Sequence, residues 1–236
     1  MSASPLILAI DTSDVQIARE WIDATKESVA VYKLGLEFFL KNGPAGVKAL
    51  QEAADFELFL DLKLHDIAHT VAGASRSIAH LAPRFLTVHA SGGSDMVAAA
   101  VAELPTTSVT GVTILTSLSA TDLGEIGFRQ PPLESAISLA KLATMAGARS
   151  IVCSPLEVSA IRDDVADSIE IITPGVRPEG SALGDQVRVM TPKAAMNAGA
   201  NYFVIGRPIT SLWQSDSPDL ARAAMAKSAK AILDSL

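Results

Sequence analysis

Eight short β-rich runs alternate with longer amphipathic stretches from end to end of the 236 residues. This alternation predicts an α/β fold built of parallel βαβ units. Eight such units in about 240 residues fit a (β/α)8 TIM barrel, which typically takes about 250. The competing doubly wound open sheet lacks its Gly-x-Gly-x-x-Gly fingerprint after the first strand. No low-complexity linker divides the chain, so residues 1–236 read as one barrel domain.

The candidate strands, in order, are residues 6–11, 29–34, 57–63, 85–90, 109–115, 150–153, 169–173 and 202–206. The stretches between them carry helix punctuation. Ser13-Asp14-Val15-Gln16 and Ser154-Pro155-Leu156-Glu157 read as capping boxes, the second with proline at the first helical position. Thr191-Pro192 opens a later helix and Gly199 closes it. The last stretch, 218–236, is Ala-rich and strongly helical. Two connections, 116–132 and 174–188, are long and rich in turn formers. Long loops after barrel strands are where such folds place lids and binding groups.

Composition narrows the function classes. At 49% hydrophobic and 19% charged, the chain has the makings of a packed core rather than of a disordered segment. Area scaling has folding bury roughly 70% of the unfolded surface. A net charge of −7 argues against a nucleic-acid partner held by bulk electrostatics. One cysteine, Cys153, excludes an internal disulfide framework and a Cys-based structural zinc site. The start, Met1 to Pro5, lacks a basic region, and the apolar run from Leu6 to Ile10 is too short for a signal peptide. No stretch approaches the roughly 20 apolar residues of a membrane span. A soluble, cytoplasmic protein without membrane attachment is expected.

The informative anomaly is where the charges fall. Alternate residues of a barrel strand point inward. Ile7, Ala9 and Asp11 share one parity, as do Val29, Val31 and Lys33, and Phe59, Asp61 and Lys63. Each apolar row ends in a charge at the C-terminal end of its strand, the face where barrel enzymes do chemistry. A charge there is costly unless it is paired or meets a ligand. Were the rows to point outward, the charges would be rim salt bridges; three strands ending alike weigh against that. Asp66 follows just beyond the third strand, and Thr70 lies one helical turn further. Carboxylates flanking Lys63 favour its ammonium form. A cationic lysine is a proton donor rather than a Schiff-base nucleophile, which needs a neutral amine. The segment suits delivery of a proton to a carbanion, with a carboxylate set against an anionic substrate group.

The pattern Asp-x-Lys-x-x-Asp-Ile-x-x-Thr over residues 61–70 resembles the signature of the orotidine 5′-phosphate decarboxylase family, in its bacterial branch. Leu8-Ala9-Ile10-Asp11, Tyr32-Lys33-Leu34-Gly35, Thr87-Val88-His89-Ala90 and Leu115-Thr116-Ser117 are similar to further segments of that family. So are Pro174-Gly175-Val176-Arg177, Asp185-Gln186 and Ile205-Gly206-Arg207-Pro208-Ile209, all in the family's order. Ala68 departs from it, standing where proline is common, and leaves the charged residues untouched. The resemblance implies a cofactor-free, metal-free decarboxylase converting orotidine 5′-phosphate to UMP and carbon dioxide. By the same resemblance, Lys63 protonates C6, Asp61 sits against the departing carboxylate, and Asp66 completes the array from the neighbouring subunit of a homodimer. Lys33 links the array to the ribose hydroxyls and Asp11 binds ribose. Thr70 belongs to the substrate contacts and Thr116 lies near the pyrimidine. Arg177, Gln186, Gly206 and Arg207 hold the phosphate under the 174–188 loop. A glycine followed by arginine at the start of the final helix suits an anion.

Other residues read more plainly. His65 and His69 superficially resemble a zinc-binding helix pair, but aspartate replaces glutamate and the segment begins at a strand end. They read as loop or helix-face residues, and His89 and Cys153 as structural ones. Trp21 and Trp213 read as packing helices against the barrel. Two rivals keep the scaffold and change its use. One is a magnesium-dependent sugar-phosphate decarboxylase or aldolase of the same superfamily. The other is a catalytically silent barrel that binds a phosphate ligand.

Overall fold

The computed structural model describes residues 4–178 and 190–236. Eight parallel strands close into a barrel in chain order. They are β1 (Leu6–Ile10), β2 (Val31–Gly35), β3 (Glu57–Leu64), β4 (Phe85–His89), β5 (Ser108–Val112), β6 (Ser150–Val152), β7 (Glu170–Thr173) and β8 (Tyr202–Ile205). The seam closes by pairing of Leu6 with Phe203, Ile7 with Val204 and Leu8 with Ile205. All eight predicted strands are present. Around them run α1 (Val15–Thr25), α2 (Leu36–Ala53), α3 (Ala68–Ile78), α4 (Ser94–Glu103) and α5 (Ala120–Glu125). These are followed by α6 (Pro132–Met145), α7 (Val158–Asp164), α8 (Pro192–Asn197), α9 (Arg207–Thr210) and α10 (Pro218–Asp234). Among the described residues, no helix is long and apolar enough to cross a membrane.

Strand alternation separates two apolar layers. Ile7, Ala9, Val31, Phe59, Phe85, Ile172, Tyr202 and Val204 form a cluster inside the barrel. Residues of the opposite parity, among them Leu8, Tyr32, Leu60 and Phe203, pack beneath the helices. Val29 departs from its expected inward place: β2 starts only at Val31, and Val29 joins the outer layer. Edge-to-face contacts of Phe85 with Phe59 (5.5 Å) and Tyr202 (5.7 Å) fill the interior. The β5–β6 side is lined by hydroxyls that satisfy one another, with Ser150 Oγ 2.8 Å from Ser108 Oγ and 2.7 Å from Thr110 Oγ1. At the N-terminal mouth, Arg84 pairs with Glu57 and with Glu170 (3.0 Å), and its guanidinium lies 4.9 Å from the Phe85 ring centroid. These contacts plug the end remote from the strand C-termini.

The helix signals mostly hold, with two differences. Ser154 and Glu157 form their capping box at a 3-10 turn, Pro155–Glu157, that leads into α7. Thr191 caps α8, with Gly199 just beyond it at φ +104. At α1 the cap is Asp14 rather than Ser13. Its carboxylate accepts from the N–H groups of Gln16 (2.8 Å) and Ile17 (3.1 Å), and an anion suits the helix N-terminus better than a hydroxyl. Ser13 instead meets Lys41 Nζ at 3.3 Å. The 116–132 connection, expected as loop, also holds a helix, α5, opened by a reciprocal Ser119–Asp122 capping box. Trp21 packs in the outer layer and Trp213 against it, as expected.

Candidate active site

β3 and β4 do not pair evenly. Leu60 opposes Leu86 and Leu64 opposes Val88, so Asp61, Leu62 and Lys63 together face Thr87 alone. This bulge puts Lys63 at φ +48, a left-handed conformation that costs a non-glycine residue about 1–3 kcal/mol. Lys63 thus reaches the barrel mouth through a bulge, and not by the strict alternation expected from the sequence.

There the predicted charges meet. Lys63 Nζ lies 2.6 Å from Asp61 Oδ1, and Lys33 Nζ lies 3.2 Å from Asp61 Oδ2 and 3.5 Å from Asp11 Oδ1. Asp11, Lys33, Asp61 and Lys63 form a row of alternating sign across the ends of β1, β2 and β3. Burial opposes the Asp61 carboxylate, but Lys33 and Lys63 outweigh it. With hydrogen bonds from Lys63 and Thr87, they hold Asp61 below the ordinary carboxylate range. Burial also disfavours the Lys33 ammonium, and Asp61 and Asp11 more than offset it, raising Lys33 above an ordinary lysine. Both groups are therefore ionised at neutral pH.

This row borders a cavity of about 490 Å³ at the C-terminal face, a size suited to a small ligand. The cavity brings together Asp11, Lys33, Asp61, Lys63, Thr116, Arg177, Gly206 and Arg207. Phe59, Val112, Ile114, Val152 and Val204 supply its apolar surface. Around the rim, Arg207 follows β8 and Arg177 follows β7, continuing from Asp11 on the side away from Lys63. The Arg177 N–H donates to Met190 O at 2.9 Å, and Gly175 turns the chain at φ +77, where other residues would be strained. Gly206 caps the four-residue α9 and not the final helix, α10, as the sequence reading had it. A Cβ at Gly206 would stand 3.4 Å from the Ala9 Cβ and 3.5 Å from Asp11 Oδ2, so the residue abuts the floor beside Asp11.

Two predicted residues lie outside this cavity. Asp66 and Thr70 are exposed at the start of the α3 region, and Asp66 Oδ1 accepts the Ile67 N–H at 2.7 Å. Gln186 and part of the 174–188 connection lie outside the described residues. His65 precedes α3, so it does not share a helix face with His69; its ring stands 5.2 Å from that of His89. Burial, with His65 and Lys63 nearby, lowers the His89 pKa. Cys153 is buried and burial pushes its thiol up, leaving it unreactive. The sequence reading assigned no role to Thr87. Its buried hydroxyl donates to Asp61 Oδ1 (3.0 Å) and accepts from the Lys63 N–H (2.8 Å). The available signal was its inward parity with Phe85.

The chain matches the family described as orotidine 5′-phosphate decarboxylase / HUMPS over residues 4–220. It is 52% identical to an orotidine 5′-phosphate decarboxylase of Thermobifida fusca, across 95% of both chains. It is 44% identical to one of Gluconobacter oxydans, covering 96% of this chain and 98% of the relative. The crystal structure of orotidine 5′-phosphate decarboxylase from Lactobacillus acidophilus superposes with a TM-score of 0.79 at 35% identity, covering 95% of this chain and 98% of that one.

Proposed function

The chain belongs to the orotidine 5′-phosphate decarboxylase / HUMPS family, and from that premise we propose that it converts orotidine 5′-phosphate to UMP and carbon dioxide without metal or cofactor. The observation that carries this reading is the alternating row Asp11–Lys33–Asp61–Lys63 beside a cavity that also presents Arg177 and Arg207. The two guanidiniums take the phosphate dianion as forked donors. Asp11 and Lys33 take the ribose hydroxyls, and Thr116 lies at the pyrimidine.

The ring is then set with its carboxylate against Asp61. The C6–carboxylate bond breaks, carbon dioxide leaves, and the electron pair stays on C6. The Lys63 ammonium stabilises that charge and delivers its proton to C6; the resulting amine regains a proton from water. Fixed charges in a site closed to water do this better than solvent dipoles, which must reorganise as charge develops. Phosphate contacts, remote from the bond that breaks, supply binding energy that orders the site.

Asp66 and Thr70, exposed and outside their own cavity, complete the site of a second copy in a homodimer. On this reading the enzyme works at the end of UMP synthesis and in the cytoplasm.

The test follows loss of orotidine 5′-phosphate by ultraviolet absorbance in excess EDTA. Conversion to UMP is the expected result. Activity that returns only with magnesium and a sugar phosphate would move the protein to the metal-dependent chemistry. A nucleotide bound without turnover under either condition would leave a binding barrel.

A further inference from the structure

The bulge in β3 leaves three residues facing one, and Thr87 is that one. Its side chain is fully buried, and both functions of its hydroxyl are committed to the charged row. A hydroxyl has one proton, so donating it to Asp61 leaves a lone pair for the Lys63 N–H. Asp61 Oδ1 in turn holds Lys63 Nζ at 2.6 Å. The contacts close a ring: Lys63 backbone to Thr87, Thr87 to Asp61, Asp61 to the tip of Lys63. Nothing in local propensity favours φ +48 at a lysine, so the backbone end of this ring counts as much as the carboxylate end.

We infer that Thr87 is a positioning residue for the proton transfer: it fixes both the backbone of Lys63 in its bulge and the carboxylate that aims its ammonium. This rests on the reading of Lys63 as proton donor. Thr87 does not line the cavity, so it acts through Lys63 and Asp61 and not by touching substrate.

The experiment is steady-state kinetics of Thr87→Val and Thr87→Ser on orotidine 5′-phosphate. Valine keeps the shape and removes the hydroxyl, leaving the Lys63 N–H and one Asp61 bond unpaired. A displacement of about 1 Å at a reacting group costs on the order of 100-fold. For Thr87→Val, kcat falls by roughly 10- to 100-fold while KM stays within about threefold, because the phosphate and ribose contacts are intact. Serine restores the hydroxyl and brings kcat back to within about threefold of wild type. Should the valine variant fail to fold, Thr87→Cys keeps the volume, donates weakly and reads the same loss in kcat. An unimpaired Thr87→Val, or a serine variant as slow as the valine one, overturns the inference. Absence of wild-type turnover in the same assay sinks the decarboxylase reading instead, so the two failures are told apart.

Discussion

Replacing Asp61 by asparagine removes the hub of the charged row and leaves two ammonium groups side by side. Asp61 lies 2.6 Å from Lys63 Nζ and 3.2 Å from Lys33 Nζ. At an effective dielectric of about 20, each attraction amounts to about 5–6 kcal/mol before solvation. Solvation removes much of that, and deleting one partner of a buried pair costs about 3–5 kcal/mol in practice. The Lys63 side chain is 30% exposed, so water takes up part of its orphaned charge and the lower end applies. Asp61→Asn should lose about 3 kcal/mol, which at a urea slope of about 3 kcal/mol per molar lowers the denaturation midpoint by about 1 M. The sign of the pH dependence follows from the lowered Asp61 pKa. A carboxylate depressed in the folded state stabilises fully above its unfolded value, about 3.9, and loses that contribution as pH falls through the folded value. The gap between wild type and variant should therefore hold steady near neutral pH and narrow below about pH 4. Urea titrations at a series of pH values read both. Equal midpoints at neutral pH, or a gap that persists unchanged in acid, would mean that Asp61 is not the hub of the charged row.

Three further outcomes follow from the same structure. Arg84→Met opens the plug at the N-terminal mouth and leaves Glu57 and Glu170 uncompensated. Both are partly exposed, so the loss in a chemical melt is about 1–3 kcal/mol with kcat unchanged; a change in kcat would contradict the remoteness of that end. Gly111→Ala puts a methyl 2.6 Å from the Ala143 Cβ of α6, an overpacking worth about 1–3 kcal/mol. Adding Ala143→Gly should relieve the clash and recover part of the loss, less the roughly 0.5–1 kcal/mol that glycine costs inside α6. A double variant no better than the two single losses summed would place the clash elsewhere. Finally, Asp66→Asn and Lys63→Ala subunits, each inactive alone, should regain about a quarter of wild-type activity on random mixing, since about half the dimers are mixed and each has one intact site. Verified mixed dimers without activity would remove Asp66 from a shared site.

The barrel was legible because strand alternation is strong: one parity fills the interior and the other meets the helices. The same alternation located Asp61 and Lys33, since a charge ending an apolar row stands out. It explained Lys63 for the wrong reason. A bulge depends on the register against β4, which no single strand encodes, and Thr87 gains its role only from that register. Local competition accounts for the other differences. Ser13 and Asp14 are both good caps, and the choice falls to whichever residue the loop after β1 turns toward the first helical N–H groups. The Ser119–Asp122 box was in plain view, yet α5 is only six residues long and sits among turn formers. Gly206-Arg207 was recognisable as a pair, but the short helix it opens was merged with the final one.

In the proposed reaction the Lys63 ammonium protonates the carbon from which carbon dioxide departs. The direct measurement is single-turnover decarboxylation of orotidine 5′-phosphate by wild type and Lys63→Ala, with UMP affinity measured on the same preparations. Loss of a proton donor that also stabilises the developing charge should slow the chemical step by about 10⁴-fold or more. UMP binding should persist through Arg177 and Arg207. A Lys63→Ala enzyme that binds UMP and turns over within about tenfold of wild type would mean that another group delivers the proton.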